Sequence, residues 1–473
     1  MITTRFRNLH IHLVGIGGAG VSALVPLLLR VGARISGCDE QDSSVLRRLR
    51  ERGITCLVGH DPAHLAQADL VVHTAAMGRD HPELATAIAR GIPVMTRGEC
   101  LVKLMEGSRT IAISGSHGKT TTTWMTGHLL TEAGLDPVVM VGGSVQALDG
   151  GGARAGAGDT FIAETDESDG SFATVDPEIA VLTNLDHEHL RHYGSFAALE
   201  DAFNSWLRRI PAHGAVIVPS EGLSDRVLSG VRCRVIRCGL NAGDWHATNL
   251  ELGPDGSRMH VIGNGHDMGE ILVTIPGAHM ALNAIMACAA ARQAEPKIDL
   301  SALSRCERVR RRFTVHGDPA GIRVVEDYGH HPTEVRATIA AARLAGGRVH
   351  VLFQPHRYTR TADCFDAFTA AFDQAHGVAI LPVYAASEEP IPGVNSADLA
   401  QAIRQRRVGM GEETVTHVSD GVAAIQHLAA MAMPGDTVLV LGAGDVGRLA
   451  PQVVDFFINA PGRESAGVEA IEA

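Results

Sequence analysis

Apolar runs of strand length recur along the chain, separated by longer stretches whose apolar positions return every three or four residues. Leu9 to Val14 is the first such run and predicts a short buried strand. A glycine-rich turn follows, then an apolar helix from about Val21 to Val31. The next strand, Arg34 to Cys38, ends at Asp39. Helical and strand-like segments alternate as far as Pro93–Met95, and this first unit runs out near Glu106–Ser108. Such alternation predicts a parallel, doubly wound sheet.

Thr110 to Ser114 opens a second α/β unit, with Thr160–Ala163 and Ile179–Thr183 as further central strands. Residues 149–158, rich in Gly and Ala, read as an exposed loop. Between Ala212 and Ile275 short strand-like pieces and turn residues dominate, which predicts added antiparallel sheet. Gly277 to Arg292 reads as a helix, and a second break falls near Phe313–Gly321. Beyond it, strands at Arg348–Gln354, Val378–Val383 and Thr437–Leu441 alternate with helices near 363–375, 396–407 and 420–431. The expected fold is therefore α/β in three domains: 1–107 Rossmann-like, 108–315 with a mainly parallel sheet around a phosphate loop, and 316–473 again Rossmann-like. The polar tail after Ala460 is expected to be disordered.

The length of 473 residues agrees with several domains rather than one core. A net charge of −12 argues against nucleic acid or an anionic membrane surface as partner. No apolar run approaches the ~20 residues of a membrane helix, and Met1 to Val14 lacks the pattern of a secretory leader. A cytoplasmic location is expected. Eight cysteines occur without a CxxC pair, which reads as reduced buried thiols and against a metal–cysteine site.

Three glycine loops could cradle phosphate. Gly15-Ile16-Gly17-Gly18-Ala19-Gly20 fits GxGxxG between a strand and a helix, with Asp39 some 20 residues on, as in dinucleotide folds. Gly442 to Gly447 fits the same pattern; for both, a tight βα turn is the rival reading. The stronger signal is Ser114-Gly115-Ser116-His117-Gly118-Lys119-Thr120-Thr121. It lacks the first glycine of the full P-loop pattern, since Ile113 stands there, but keeps GxxGKT. Backbone N–H groups surround phosphate in such a loop, Lys119 reaches the terminal phosphates and Thr120 can ligate Mg²⁺. Lys119 is one of only three lysines.

From this point the chain resembles the Mur ligase family. GSHGKTTTT at 115–123 resembles the family's ATP loop. HIHLVGIGGAG (10–20), IAETDESDGSF (162–172), DYGHHPTEV (327–335), FQPHRYTRT (353–361) and LGAGDVG (441–447) extend the likeness in the family's order. These segments look most like the branch that adds L-alanine to UDP-N-acetylmuramate. The resemblance implies a UDP-binding domain, a central ATPase domain and a C-terminal amino-acid-binding domain. It also implies acyl phosphate chemistry with ATP and Mg²⁺. Charge neutralisation at the transferring phosphoryl would then matter more than any nucleophilic side chain.

The resemblance assigns residues as follows, each against a plainer reading. Gly115, Ser116, His117, Gly118, Lys119, Thr120 and Thr121 would hold ATP. Glu164 and His189 would join Thr120 as metal ligands, with Lys119, Glu164 and His189 carrying catalysis. Glu164 could instead be a surface acid, and His189 an ordinary loop histidine with His187 and His192 as neighbours. Arg191 stands where the family usually has an acid. Asp166, Glu167 and Asp169 crowd one segment; Asp169 and Ser171 would face the muramyl group, or the segment is a solvated acidic loop. Gly15, Gly17, Gly18 and Asp39 would bind the UDP sugar. Asn283 would meet adenine, although Met280 replaces the family's other asparagine. Within an arginine cluster, Arg312 is favoured over Arg311 for phosphate, and Asp327 would approach the nucleotide. Tyr328, His330 and His331 would line the amino-acid side, and Arg357 and Arg360 would bind carboxylate. Three other functions stay open: a recycling ligase that attaches a peptide to the same nucleotide sugar, an NAD-dependent oxidoreductase built on the two GxGxxG loops, and a nucleotide-sensing relative without activity. Oligomeric state is not legible.

Overall fold

The structure, a computed structural model, describes residues 5–74, 77–78, 80–408 and 414–459. The chain forms two compact units. The first comprises Met1–Leu250, Arg258–Val273 and Met280–Val309, and the second Glu251–Ser257, Thr274–His279 and Arg310–Ala473. The expected disordered tail lies outside the described residues.

The first unit contains the N-terminal sheet. Its five strands stand in the order Thr55–Val58, Arg34–Asp39, His10–Val14, Leu70–His73, Val94–Thr96, all parallel. Ile11, Leu13 and Val14 are completely buried, as the apolar run requires. The helix expected over 21–31 is two pieces, Ala19–Ser22 and Leu24–Arg30. Pro26 causes the break: it has no N–H for the Ser22 carbonyl four residues back.

A second sheet has ten strands. Its central part runs Ala215–Pro219, Ile179–Leu182, Arg109–Ser114, Thr160–Glu164, Val138–Val145, Gly151–Ala155. The register sets Leu182 beside Ser114 and Ile113 beside Glu164, so three strand ends meet at one edge. Trp245–Gly253, Gly256–Gly263 and His266–Val273 follow one another in this sheet with two-residue links, which only antiparallel neighbours can make. The expected loop at 149–158 is instead an edge strand over Gly151–Ala155, antiparallel to Val138–Val145. Its Gly and Ala residues are small for packing reasons. A side chain at Gly152 would come within 2.9 Å of the Val141 and Gly143 carbonyls and 3.3 Å of the Ala23 methyl.

The second unit holds a six-stranded sheet in the order Thr314–Gly317, Arg323–Asp327, Thr437–Leu441, Val349–Phe353, Gly377–Ile380, Thr414–His417. Only the first pair is antiparallel. The helix expected at 363–375 is two, Tyr358–Asp363 and Phe365–Ala371, while Ser396–Arg406 and Gly421–Met431 lie where anticipated. Among the described residues no helix is long and apolar enough to cross a membrane.

Candidate active site

The phosphate loop sits where the three strand ends meet, the edge at which α/β sheets hold ligands. Residues just after Ile179–Leu182 clamp it. Asn184 accepts the Ser116 N–H through its carbonyl (3.0 Å) and the His117 N–H through Oδ1 (2.9 Å). Its amide donates back to the His117 carbonyl. Asp186 contacts the His117 ring at 3.1 Å and gives its own N–H to Ser116 Oγ. Gly118 takes a left-handed φ of +80°, and a side chain there would strike Asn283 Oδ1 at 2.6 Å. Asn283 therefore sits on the last glycine of the loop. Met280, buried, lies against the Asn283 amide at 3.9 Å.

From Gly118 the helix Lys119–Glu132 begins, and its free N–H groups favour an anion at the loop. Lys119 Nζ curls back to the carbonyls of Gly115 (2.6 Å) and Ser116 (3.0 Å) and pairs with Glu167 Oε2 at 2.7 Å. Burial works against the ammonium, but Glu167, Asp166 and Glu164 outweigh it and shift its pKa upward. Burial pushes Glu167 up to about 7 despite Lys119. Thr120 and Thr121 are buried at the helix start.

Glu164 ends its strand, and its Oε2 accepts the Gly142 N–H at 2.6 Å. His189, held at a φ of +58°, places Nε2 3.5 Å from Glu167 and 3.6 Å from Glu188. The structure thus groups His189 with Glu167 and Glu188, while Glu164 faces the same lysine from the neighbouring strand. A divalent cation fits this donor set. Two carboxylates and an imidazole, those of Glu167, Glu188 and His189, stand within ligand reach of one another, and burial works against the charge of Glu167. Glu167 read in the sequence only as one of several crowded acids. A usable signal was the phosphate-loop lysine itself, since a buried ammonium requires a buried acid.

The N-terminal glycine loop closes on the neighbouring strand. The Gly15 and Ile16 N–H groups donate to the Cys38 carbonyl, and Gly17 N–H donates to Asp39 Oδ2 at 3.0 Å. Gly18 N–H returns to the Gly15 carbonyl. Asp39 thus braces the loop itself. Arg97, unmarked in the sequence, lies against Gly20; burial opposes the Asp166 charge, but Lys119, the Ser168 hydrogen bonds and, least, Arg97 pull its carboxyl down. Asp169 Oδ1 accepts the Ser171 N–H, and Ser171 lies 3.2 Å from the position a Gly98 side chain would take.

The second unit carries its own polar cluster. Arg311 donates to the carbonyls of Gly442, Ala443 and Gly444 and pairs with Glu326 at 2.9 Å. The third glycine loop is therefore held as a turn, with its carbonyls turned to a cation. Arg312 keeps a looser place, 3.9 Å from Glu334 and 5.2 Å over the Tyr328 ring. Asp327, expected near nucleotide, is buried and accepts N–H bonds from Phe313 and Gly329; burial raises its pKa. His331 caps the helix Pro332–Ala342. His330 contacts Tyr328 and packs near His356, which burial lowers to about 3, with His330, Arg360 and Arg357 adding to it. Arg360 reaches His356 at 3.3 Å, and Arg357, at a φ of +70°, lies 3.8 Å from Glu388.

Comparison with known proteins agrees with the resemblance. Residues 10–109 match the model of the Mur ligase family, catalytic domain. Residues 113–291 match the Mur ligase middle domain, and 311–444 the Mur ligase, glutamate ligase domain. A UDP-N-acetylmuramate–L-alanine ligase from Solibacter usitatus is 43% identical over 95% of this chain and 96% of its own. The protein of that name from Sorangium cellulosum is 42% identical over 93% and 95%. Among solved structures, the UDP-N-acetylmuramate–alanine ligase of Thermotoga maritima superposes with a TM-score of 0.78 at 27% identity, covering 95% of this chain and 99% of that one. A murein peptide ligase from Psychrobacter arcticus gives 0.69 at 25% identity, covering 96% and 99%. With its phosphate loop, its acid cluster and relatives matched over nearly the whole length, the chain belongs to the Mur ligase family.

Proposed function

We propose that the protein is an ATP-dependent ligase that joins L-alanine to the lactyl carboxylate of UDP-N-acetylmuramate, giving ADP and phosphate, in the cytoplasmic synthesis of peptidoglycan precursors. Lys119 carries this reading: a buried ammonium under a loop of backbone N–H groups, facing Glu164 and Glu167. Phosphoryl transfer between two anions needs such a place more than it needs a base. The Lys119 ammonium would exchange the carbonyls of Gly115 and Ser116 for phosphate oxygens. Thr120, Glu164 and His189, with Glu167 beside them, would hold Mg²⁺. A bound Mg²⁺ supplies charge neutralisation at the phosphate and carboxylate oxygens. Gly115, Ser116, His117, Gly118, Thr121 and Asn283 would seat ATP, and we also assign Arg312 and Asp327 to it. Gly15, Gly17, Gly18 and Asp39 would shape the UDP site, with Asp169 and Ser171 toward the muramyl group. Tyr328, His330, Arg357 and Arg360 are assigned to the amino acid. We place the domain limits at 1–107, 108–315 and 316–473.

The test is phosphate release with UDP-N-acetylmuramate, Mg²⁺ and each of L-alanine, glycine, L-serine and a tripeptide. L-alanine should support the fastest turnover, and Lys119→Ala should abolish it while circular dichroism stays native. Full activity in that variant removes the phosphate-loop assignment. Turnover with the peptide alone makes the protein a recycling ligase.

A further inference from the structure

A second cluster of ligating side chains lies wholly inside the N-terminal sheet domain, and none of its side chains is assigned to the reaction. His12 comes from the strand His10–Val14 and Cys38 from its neighbour Arg34–Asp39. The parallel register sets His12 beside Ser36 and Val14 beside Cys38, so His12, Ser36 and Cys38 share one face of the sheet. His64 comes from the short helix Pro62–Leu65, and Glu83 from the first turn of Pro82–Ala89. One ligand atom of each of the four lies within 4.8 Å of all the others. His64 Nδ1 is 2.8 Å from Glu83 Oε1, Cys38 Sγ 3.0 Å from Oε2, and His12 Nε2 3.8 Å from Oε1. His60 Nδ1 stands beside them, 3.3 Å from the Cys38 sulfur and 3.2 Å from Glu83.

The proton positions can be worked out from one carbonyl. The oxygen of Gln67 can only accept, so His10 Nδ1, 2.8 Å away, carries a proton. In that tautomer His10 Nε2 is an acceptor, and the Ser36 hydroxyl 2.9 Å away donates to it. Ser36 has no second proton, so at 2.9 Å it accepts from His12 Nδ1–H. His12 Nε2 is then a bare lone pair. It is completely buried, has no hydrogen-bond partner among the described residues, and points toward the Glu83 carboxylate. Two electron-rich atoms face each other in a dry interior, which costs free energy unless a cation lies between them.

We propose that His12, Cys38, His64 and Glu83 bind one zinc ion in tetrahedral geometry. Two imidazoles, a thiolate and a carboxylate are a zinc donor set, and with bonds of roughly 2.0–2.3 Å the observed spacings need only small adjustments. A thiolate, a carboxylate and Zn²⁺ sum to zero, so the buried site becomes neutral. On binding, the Cys38 thiol releases its proton to solvent and His64 moves its proton from Nδ1 to Nε2; nothing is oxidised. The Ser36 hydroxyl fixes the His12 tautomer from outside, as the hydrogen-bond partner of a zinc histidine does. CxxC spacing does not bear on such a site, because adjacent parallel strands supply His12 and Cys38 and two helices supply His64 and Glu83.

Full-length protein without a polyhistidine tag, stripped by chelator and dialysed, is titrated with Zn²⁺ and with Co²⁺. One tight zinc per chain is expected, with near-ultraviolet thiolate-to-cobalt charge transfer and the visible bands of tetrahedral Co²⁺. Cys38→Ser should abolish the charge transfer and weaken zinc by roughly 100-fold or more, and Ser36→Ala should weaken it about 10–100-fold. Glu164→Ala should leave this zinc unchanged, which separates it from a cation at the phosphate loop. If Cys38→Ser does not fold, the wild-type cobalt spectrum and Ser36→Ala decide. No tight zinc, a cobalt spectrum without charge transfer, or undiminished binding in Ser36→Ala overturns the proposal.

Discussion

Arg311 and Arg312 are adjacent and do different work. Arg311 ties the Gly442–Gly444 carbonyls and Glu326 into one knot, so its loss leaves a mostly buried acid and three carbonyls short of a donor. Arg311→Ala should cost roughly 3 kcal/mol of stability. Arg312 makes looser contacts and offsets the burial of Asp327 by charge alone, so Arg312→Ala should cost less than Arg311→Ala. If Arg312 stabilises transferring phosphate, kcat/KM should fall roughly 10²-fold. Urea midpoints and phosphate-release kinetics on both variants check this; equal stability losses would remove the distinction. The turn at Gly115–Gly118 and the helix start at Lys119 were legible because glycines at that spacing answer a backbone requirement. Glu167 was not, since a solvated acid and the buried partner of Lys119 are written with the same letter. His12, Cys38, His64 and Glu83 were illegible because strand register joins the first two and the packing of two helices adds the others.

At the level of elements, apolar runs located central strands of each sheet, such as His10–Val14, Arg109–Ser114 and Thr437–Leu441, while the breaks within helices depended on single residues such as Pro26. The edge strand Gly151–Ala155 was misread because small residues serve loops and tight packing alike. Asp436 shows what holds neighbouring elements together. Just before the strand Thr437–Leu441, it accepts from Arg348 (2.8 Å), His350 (3.1 Å) and the Met433 N–H (2.9 Å), so it fastens that strand to Val349–Phe353. Burial alone would raise its pKa, but Arg348, Met433 and His350 together lower it. Its contribution is therefore present above the ordinary value of 3.8 and is lost as pH falls through the lower folded value. Asp436→Ala should cost about 3–5 kcal/mol, because Arg348 and His350 lose a buried partner. Hydrogen exchange of amides in 349–353 and 437–441 should accelerate together; a change under about 1 kcal/mol would show that the tie is ornamental.

For the whole molecule, the three-sheet plan was legible from sequence, but the gathering of the first two sheets into one compact unit was not. It rests on contacts such as Arg52 with Asp149 and Ala23 against Gly152, between residues far apart in the chain. That unit contains two buried groups whose titrations oppose each other. His12, surrounded by Glu83, His64, His10 and His60, falls from 6.5 to about 4, chiefly by burial. Its neutral state makes the unfolded chain bind more protons below pH 6.5, so it removes about 3 kcal/mol of stability as pH drops from 6.5 to 4. Glu167, facing Lys119 and Asp166, rises from 4.5 to about 7 by burial. Here the folded chain binds more protons, so stability is full below 4.5 and about 3 kcal/mol is lost as pH rises to 7. Between pH 7 and 5 the two nearly cancel. All three tryptophans, Trp124, Trp206 and Trp245, belong to this unit, so tryptophan fluorescence reads it selectively. In metal-free protein the tryptophan-monitored urea midpoint should stay nearly flat from pH 7 to 5. His12→Gln should make it rise on acidification, by up to about 2 kcal/mol, because Glu167 then acts alone. Glu167→Gln should make it fall by a similar amount, because His12 then acts alone. Variants that titrate in parallel with the wild type would show that neither group is held away from its ordinary charge state by the fold.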